Sequence, residues 1–422
     1  MKIAVIGAGI IGITTAFELA SDGHDVTVYE RRSAAAEESS FANAGVVAPG
    51  YVTPWAAPGM PWKVAQHLMS QHAPVKLGRF MGLGLSSQDL AWIARWWLAC
   101  KPATYATNRS QMQQLAFYSK ARLEHLRNDL KIEFDRSDGY MVLLRTAADQ
   151  RLIQPSLQVL RDAGVPFAQL DASGARKLEP ALNPDTDFLG AIHLPQDEVG
   201  NCRQFALLLK TECLRRGVRF EFNRTVLMLV PGHGSGIELA FGEPFPAAKF
   251  DGAIVCAGLA STALLHPLGL RIPMAAVYGY SISANIKEPL NAPRSAVMDE
   301  RYKVAISRLG NRVRVAGSAE LGGHPTRVRQ SSLQTLYKVL QDWFPGAAIH
   351  SSGVQVWKGA RPMLPDGPPA LGASGVPGLW VNLGHGSSGW ALSCGSARWI
   401  ADLVQQKKPA LDLPACSPLR FK

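Results

Sequence analysis

A short apolar stretch followed at once by a glycine fingerprint constrains this chain more than any other part of its sequence. Lys2-Ile3-Ala4-Val5-Ile6 reads as a short buried strand, Gly7-Ala8-Gly9-Ile10-Ile11-Gly12 opens a helix that runs to about Ala20, and Asp25–Glu30 reads as a second strand. This is the start of a βαβ unit, and each glycine in it has a physical task. The first allows the tight turn, the second lets a pyrophosphate approach the backbone, and the third lets helix and strand pack closely. The helix N-terminus presents unpaired N–H groups to an anion, so Gly7, Gly9, Ile10, Ile11 and Gly12 are expected to cradle a dinucleotide. Glu30 closes the second strand, where its carboxylate can accept hydrogen bonds from a ribose.

FAD and NAD both use this fingerprint. Arg31 and Arg32 could partner the 2′-phosphate of an NADP, but Glu30 would repel that phosphate, and the pair reads as a solvated loop with Arg31 beside the cofactor. The segment Ser39-Ser40-Phe41-Ala42-Asn43-Ala44-Gly45, running on to Val46, favours FAD because it is small and polar, as backbone passing close to a long cofactor requires. Phe250–Gly258 reads as one buried strand that brings Ala257 and Gly258 back against the cofactor at the carboxyl edge of a parallel sheet. Near the end, Gly378–Gly389 reads as a strand and a glycine-rich loop, followed by an apolar helix to about Val404. Gly384, His385, Gly386, Ser387, Ser388 and Gly389 then form a second anion site, which in a flavoprotein would face the pyrimidine end of the isoalloxazine.

With these motifs in place the chain resembles the D-amino-acid oxidase/glycine oxidase superfamily of FAD oxidoreductases. The resemblance rests on the GAGIIG fingerprint with Glu30, the Ser-Phe-Ala-Asn-Ala-Gly segment, and the ending Gly359-Ala360-Arg361-Pro362…Pro365-Asp366-Gly367…Gly384-His385-Gly386. More narrowly, Pro49-Gly50-Tyr51…Pro54-Trp55-Ala56-Ala57-Pro58-Gly59 and Asp299-Glu300-Arg301-Tyr302-Lys303-Val304-Ala305-Ile306 look like the bacterial D-amino acid dehydrogenase family of the small-subunit type. The resemblance implies a Rossmann-like FAD domain with an inserted substrate domain built on an antiparallel sheet plus helices. It also implies oxidation of D-amino acids, D-proline-type imino acids included, by hydride transfer from Cα to the flavin, giving an imine and then a 2-oxo acid. Arg361 would pair with the substrate carboxylate and also touch the cofactor, a role suited to the guanidinium fork. Tyr280 would place its hydroxyl near the substrate, with Tyr51, Tyr302 and His385 as further substrate contacts. Tyr278 and Leu364 depart from the Lys and Thr expected there. Electrons would pass to a quinone or other respiratory acceptor; an oxygen-using oxidase of the same fold is the alternative, with a tRNA-modifying flavoenzyme or a non-catalytic dinucleotide sensor behind it.

Composition agrees with an ordinary folded enzyme. Hydrophobic residues make up 47% and charged residues 18% of the 422, far from the balance that keeps chains disordered. The net charge of +11 suits an anionic partner, and no nucleic-acid-binding motif accompanies it. The six cysteines are scattered without metal-ligand spacing, so reduced thiols and no metal are expected. No cleavable leader or membrane span is evident, and the expected location is cytoplasmic, in peripheral contact with the inner face of the membrane. A Trp-bearing helix at Asp89–Ala99 with Trp92, Trp96, Trp97 and Arg95 reads first as packing its tryptophans in the substrate domain, with rest on a membrane surface as the alternative. Seven Lys/Arg in 301–330 suggest a solvated basic face. Helices are expected at Gln111–Asp129 and Gly200–Gly217, and strands at Val218–Phe222, Lys303–Ser307 and Arg312–Val315. The cofactor domain would comprise 1–60, 192–260 and 362–422, and the substrate domain 61–191 and 261–361.

Overall fold

The computed structural model describes residues 1–67, 72–78, 85–232, 234 and 236–421. The elements that shape its cavity are, in chain order, β1 (Lys2–Ile6), α1 (Ile10–Ser21), β2 (Asp25–Tyr29), α2 (Ser87–Ala99), α3 (Pro102–Leu130), β3 (Gly252–Val255), β4 (Ala275–Asn285), β5 (Arg312–Leu321), β6 (Gln355–Met363), β7 (Leu379–Leu383) and α4 (Gly389–Val404). A six-stranded sheet runs in the order Ala370–Ala373, β7, β3, β1, β2, Arg219–Glu221. Its pairings are parallel except at the Ala370–Ala373 edge. Chain order reverses between β3 and β1, and ligands of open α/β sheets bind at such a switch point, beyond the carboxyl ends of the strands.

One expected strand divides. Phe250–Gly258 breaks at Asp251, whose carboxylate accepts the Lys2 backbone N–H at 2.6 Å. Ala248–Phe250 joins a separate three-stranded antiparallel sheet, while β3 joins the parallel one. Polar Asp251 cannot continue a strand buried on both faces, which is where the chain changes sheets.

The second large sheet runs β6, β4, β5, Val304–Leu309, Ala296–Asp299, Arg136–Leu144, Gly190–Gly200, Val46–Val47, with Val75–Leu77 added to β5 and Ala168–Asp171 to Gly190–Gly200. Most of its pairings are antiparallel. Helix Gln330–Trp343 covers one face, burying Leu333, Leu336, Val339, Leu340 and Trp343 against Ile282, Val304, Ile306, Val313 and Val315. Strand residues alternate between faces, so the intervening positions of β4 and β5 look the other way, toward the segment Ala42–Ala44. There Ser281 and Ser307 donate to the carbonyls of Ala42 and Ala44, each at 2.8 Å.

Packing joins segments that the sequence assigned to different domains. The expected helix at Gln111–Asp129 is the longer α3, and it packs Met112, Leu115, Ala116, Leu123 and Leu126 into one core with α1 and α4 rather than with the substrate sheet. Val46–Val47 and Gly190–Gly200, by contrast, are paired strands of the substrate sheet. Fully buried Glu18 on α1 explains part of this arrangement, because it receives Arg122 of α3 at 2.7 Å and Arg398 of α4 at 2.9 Å. The basic stretch 301–330 is also not a simple solvated face. Arg314 turns inward to the Asn43 carbonyl at 3.1 Å, and Arg329 and Lys303 pair with Glu320 and Glu300.

Candidate active site

A cavity of about 1590 Å³ lies between the parallel sheet and the open face of the antiparallel one. It exceeds the roughly 300–1,000 Å³ of common ligand sites, so it has room for a long cofactor together with a small substrate. The predicted cofactor residues Gly7, Gly9, Ile10, Ile11, Glu30, Arg31, Ser39, Ser40, Asn43, Ala44, Gly45, Val46, Ala257, Gly258 and Gly384–Gly389 all line it.

The fingerprint glycines differ in what surrounds them. Gly12 packs so tightly that a Cβ would lie 1.8 Å from the Gly7 carbonyl oxygen, and at Gly7, with φ +106°, a Cβ would meet the Cys256 carbonyl oxygen at 2.7 Å. At Gly9 the nearest atom to a Cβ is the Ser40 hydroxyl, at 3.5 Å, so this position opens onto the cavity. Ser40 accepts the Ile10 N–H at 3.0 Å, and Glu30 anchors the loop through the Ala8 N–H at 2.7 Å and the Arg32 N–H at 2.8 Å. Fixed in this way, the Glu30 carboxylate keeps lone pairs for a ribose hydroxyl. Arg31 and Arg32 both close on Glu38, which leaves them committed to a carboxylate rather than to a 2′-phosphate. Asn382 Oδ1 and Trp390 Nε1 sit buried in the cavity wall with no hydrogen-bond partner, as groups meant for a bound molecule would. The N-termini of α1 and α4 open onto the same space, giving it two anion-favouring ends. These residues fit a flavin dinucleotide.

Arg361 lies half-buried on β6 at the cavity wall, and burial lowers its pKa to about 10. Its Nη1 donates to the Ser318 carbonyl at 2.9 Å, and among the described residues no carboxylate pairs with it. A cation left without an anion at a cavity wall is an anion-binding group by electrostatics alone.

Tyr280 departs from expectation. Neighbouring strand residues face opposite ways, so Tyr280 belongs to the side covered by helix Gln330–Trp343, while Gly279 and Arg361 face the cavity. Tyr280 touches the lining, but its hydroxyl donates to Glu320, which also receives Lys358 Nζ and Arg329 Nε, each at 2.9 Å. Burial raises Glu320, yet the Tyr280 bond and Lys358 outweigh it, and the carboxyl ends below its usual range. Tyr51 likewise donates to Glu300 and Tyr302 packs edge-on to His72 at 6.1 Å; both line the cavity. Tyr278 lies under Lys358, and neither it nor Leu364 is among the described lining residues.

His385 is buried and its pKa falls to about 3, so the ring is neutral at ordinary pH. The Ser396 hydroxyl donates to the Ser393 carbonyl at 3.1 Å and therefore accepts from His385 Nε2, also at 3.1 Å. That network assigns the proton to Nε2 and makes the ring a tie between the glycine-rich loop and α4.

Sequence reasoning missed Gly279, Ser318, Trp357 and Arg109. Arg109 lines the cavity with Nε and Nη2 unpartnered. Gly279 had a usable signal, because an isolated glycine inside a strand marks close approach by another group. The six cysteines are free, and no cluster of metal-ligating side chains occurs among the described residues.

On the Trp-bearing helix, Trp92 is buried and donates to the Met363 carbonyl at 3.0 Å, while Trp97 and Leu98 are each 64% exposed and Leu90 is 56% exposed. No helix among the described residues is long and apolar enough to cross a membrane.

Comparison with known proteins agrees with this geometry. The model of a family described as FAD dependent oxidoreductase matches residues 2–403. A D-amino acid dehydrogenase of Bradyrhizobium diazoefficiens is 41% identical over 100% of this chain and 99% of its own length. One from Rhizobium johnstonii is 42% identical over 98% of each. Among solved structures, glycine oxidase from Geobacillus kaustophilus superposes with a TM-score of 0.77 at 22% identity, covering 100% of this chain and 99% of that one. L-Proline dehydrogenase from P. horikoshii superposes with a TM-score of 0.74 at 16% identity, covering 100% and 97%. Both share the fold.

Proposed function

The chain belongs to the FAD dependent oxidoreductase family, and from that premise we propose that it is a D-amino acid dehydrogenase in which Arg361 holds the substrate carboxylate. The observation that carries this reading is the half-buried guanidinium of Arg361, open to the cavity and without a carboxylate partner among the described residues. Bound FAD supplies a two-electron acceptor for the hydride leaving the substrate Cα.

The protein's own contribution is orientation. With one arm held by the Ser318 carbonyl, Arg361 offers its remaining N–H groups to a carboxylate as a fixed fork, which restricts how Cα can sit. His385, neutral and with its Nε2 proton given to Ser396, is a poor candidate for a general base, so the amine is best taken up uncharged. The imine product hydrolyses in water to a 2-oxo acid, or stays cyclic if the substrate is a D-proline type.

The electron acceptor we assign is a membrane quinone. α2 supports this, since its inner face bonds Met363, two residues from Arg361, while its outer face carries Leu90, Trp97 and Leu98. A Trp-bearing apolar face on a protein of net charge +11 suits an anionic lipid surface.

The test is anaerobic bleaching of the purified protein's flavin absorbance by D- and L-amino acids, D-proline, sarcosine and glycine. D-Amino acids should bleach it, and Arg361→Ala should lose on the order of 10²-fold in the second-order rate of reduction, with Arg361→Lys losing less. Bleaching by L-amino acids or sarcosine alone would overturn the assignment.

A further inference from the structure

Gly279 and Gly359 face each other directly across β4 and β6, and each lies beneath a side chain that a Cβ would strike. At Gly279 a Cβ would stand 2.4 Å from Nη2, 2.5 Å from Cζ and 2.7 Å from Nη1 of Arg361. At Gly359 it would stand 1.8 Å and 1.9 Å from atoms of the Trp357 six-membered ring. Trp357, Gly359 and Arg361 alternate along β6 and so share its cavity face. From opposite directions, the indole and the guanidinium fold toward one another onto the bare backbone between them. Directly opposed Cβ positions in an antiparallel pair lie about 5 Å apart, which makes the two groups neighbours.

A third feature locks the seat. Pairing of β4 with β5 shifts register between Tyr278 and Tyr280, opposite a stretch where Ser318 has φ +58°. That left-handed conformation is uncommon for a residue other than glycine, and the Ser318 carbonyl is the group that receives Arg361 Nη1.

We propose that the Gly279–Gly359 pair is a seat that holds Arg361 and Trp357 flat against the sheet, which makes Gly279 a positioning residue for the substrate carboxylate and Trp357 the wall that limits the substrate side chain. The proposal rests on the D-amino acid dehydrogenase reading and deepens it. An added methyl at Gly279 meets the far end of a flexible side chain, so Gly279→Ala should fold and retain FAD while its guanidinium lifts away. Gly359→Ala should instead move the indole.

The experiment compares wild type, Gly279→Ala and Gly359→Ala as holoenzymes, using propionate binding read from the flavin spectrum and anaerobic reduction by D-alanine and D-phenylalanine. Gly279→Ala should weaken propionate at least tenfold and raise KM for both substrates by a similar factor. Gly359→Ala should leave propionate within about threefold and change the ratio of D-phenylalanine to D-alanine rates by at least tenfold. Equal effects of the two variants on propionate, or none from Gly279→Ala, would overturn the seat while leaving the function intact. Wild type that no D-amino acid reduces would overturn the functional reading and the proposal together. Thermal stability gives an independent check, because any loss in Gly279→Ala should vanish when Arg361→Ala is added; a loss that persists in the double variant would show that Arg361 is not what the methyl meets.

Discussion

Among individual residues, Asp197 shows how burial, more than any neighbouring charge, tunes chemistry in this molecule. It is 2% exposed and its Oδ2 has no hydrogen-bond partner. Burial pushes its carboxyl up to about 7, with Lys120 opposing and Glu198 adding to the rise. An unfolded Asp ionises near pH 4, so between about pH 4 and 7 the native state binds the extra proton and stability falls as pH rises. Asp197→Asn removes that dependence. We expect its advantage over wild type in denaturant unfolding to grow from about pH 4 to pH 7 and then level off at roughly 2–4 kcal/mol. A difference that is flat with pH would show that the residue ionises normally. Residue-scale legibility followed the same physics. Arg361 stood out in the sequence because its motif and its chemistry point the same way, whereas the side to which the Tyr280 hydroxyl turns was hidden, because two tyrosines flank a glycine and only the register of β4 shows that the glycine faces the cavity.

Between elements, the decisive contact is the buried carboxylate that three helices share. Glu18 of α1 takes Arg122 of α3 through Oε1 at 2.7 Å and Oε2 at 2.9 Å, and Arg398 of α4 through Oε2 at 2.9 Å; Arg398 also reaches Asp22. Removing one member of a buried ion group strands the others, at a cost of about 3–5 kcal/mol. Glu18→Gln should therefore lower the thermal midpoint and speed FAD loss, since the N-terminus of α1 holds the glycine cradle; equilibrium unfolding with FAD retention measures both. An effect under about 1 kcal/mol would mean the triad contributes little. This contact also explains why the layer that α3 packs into was not legible in the sequence. Local periodicity reports that a segment is helical, but not which layer its buried face meets, and the partners of Arg122 lie about a hundred residues away. The βαβ start was fully legible by contrast, because strand, glycines, helix and Glu30 are contiguous. The break at Asp251 was not, since it depends on a pairing with Lys2.

For the whole molecule, charge and exposed apolar surface act together. On the membrane contact proposed above, a net charge of +11 would attract anionic lipid, and the exposed Leu90, Trp97 and Leu98 of α2 would be the side chains to insert. We expect co-sedimentation with phosphatidylglycerol vesicles, little with phosphatidylcholine, and a loss of at least tenfold in Trp97→Glu/Leu98→Glu with FAD content unchanged. Equal binding by that variant would place the lipid contact elsewhere. The order of the parallel sheet carries one more consequence, for the birth of the protein rather than its work. β1 ends at Ile6, yet its neighbour β3 begins only at residue 252 and β7 at residue 379. At about 5–20 residues per second, one edge of an apolar strand stays unpaired for tens of seconds during synthesis. Until β3 and β7 arrive, the nascent chain carries the kind of exposed edge that invites mispairing, so the sheet behind the dinucleotide cradle closes long after the glycine fingerprint itself has been made.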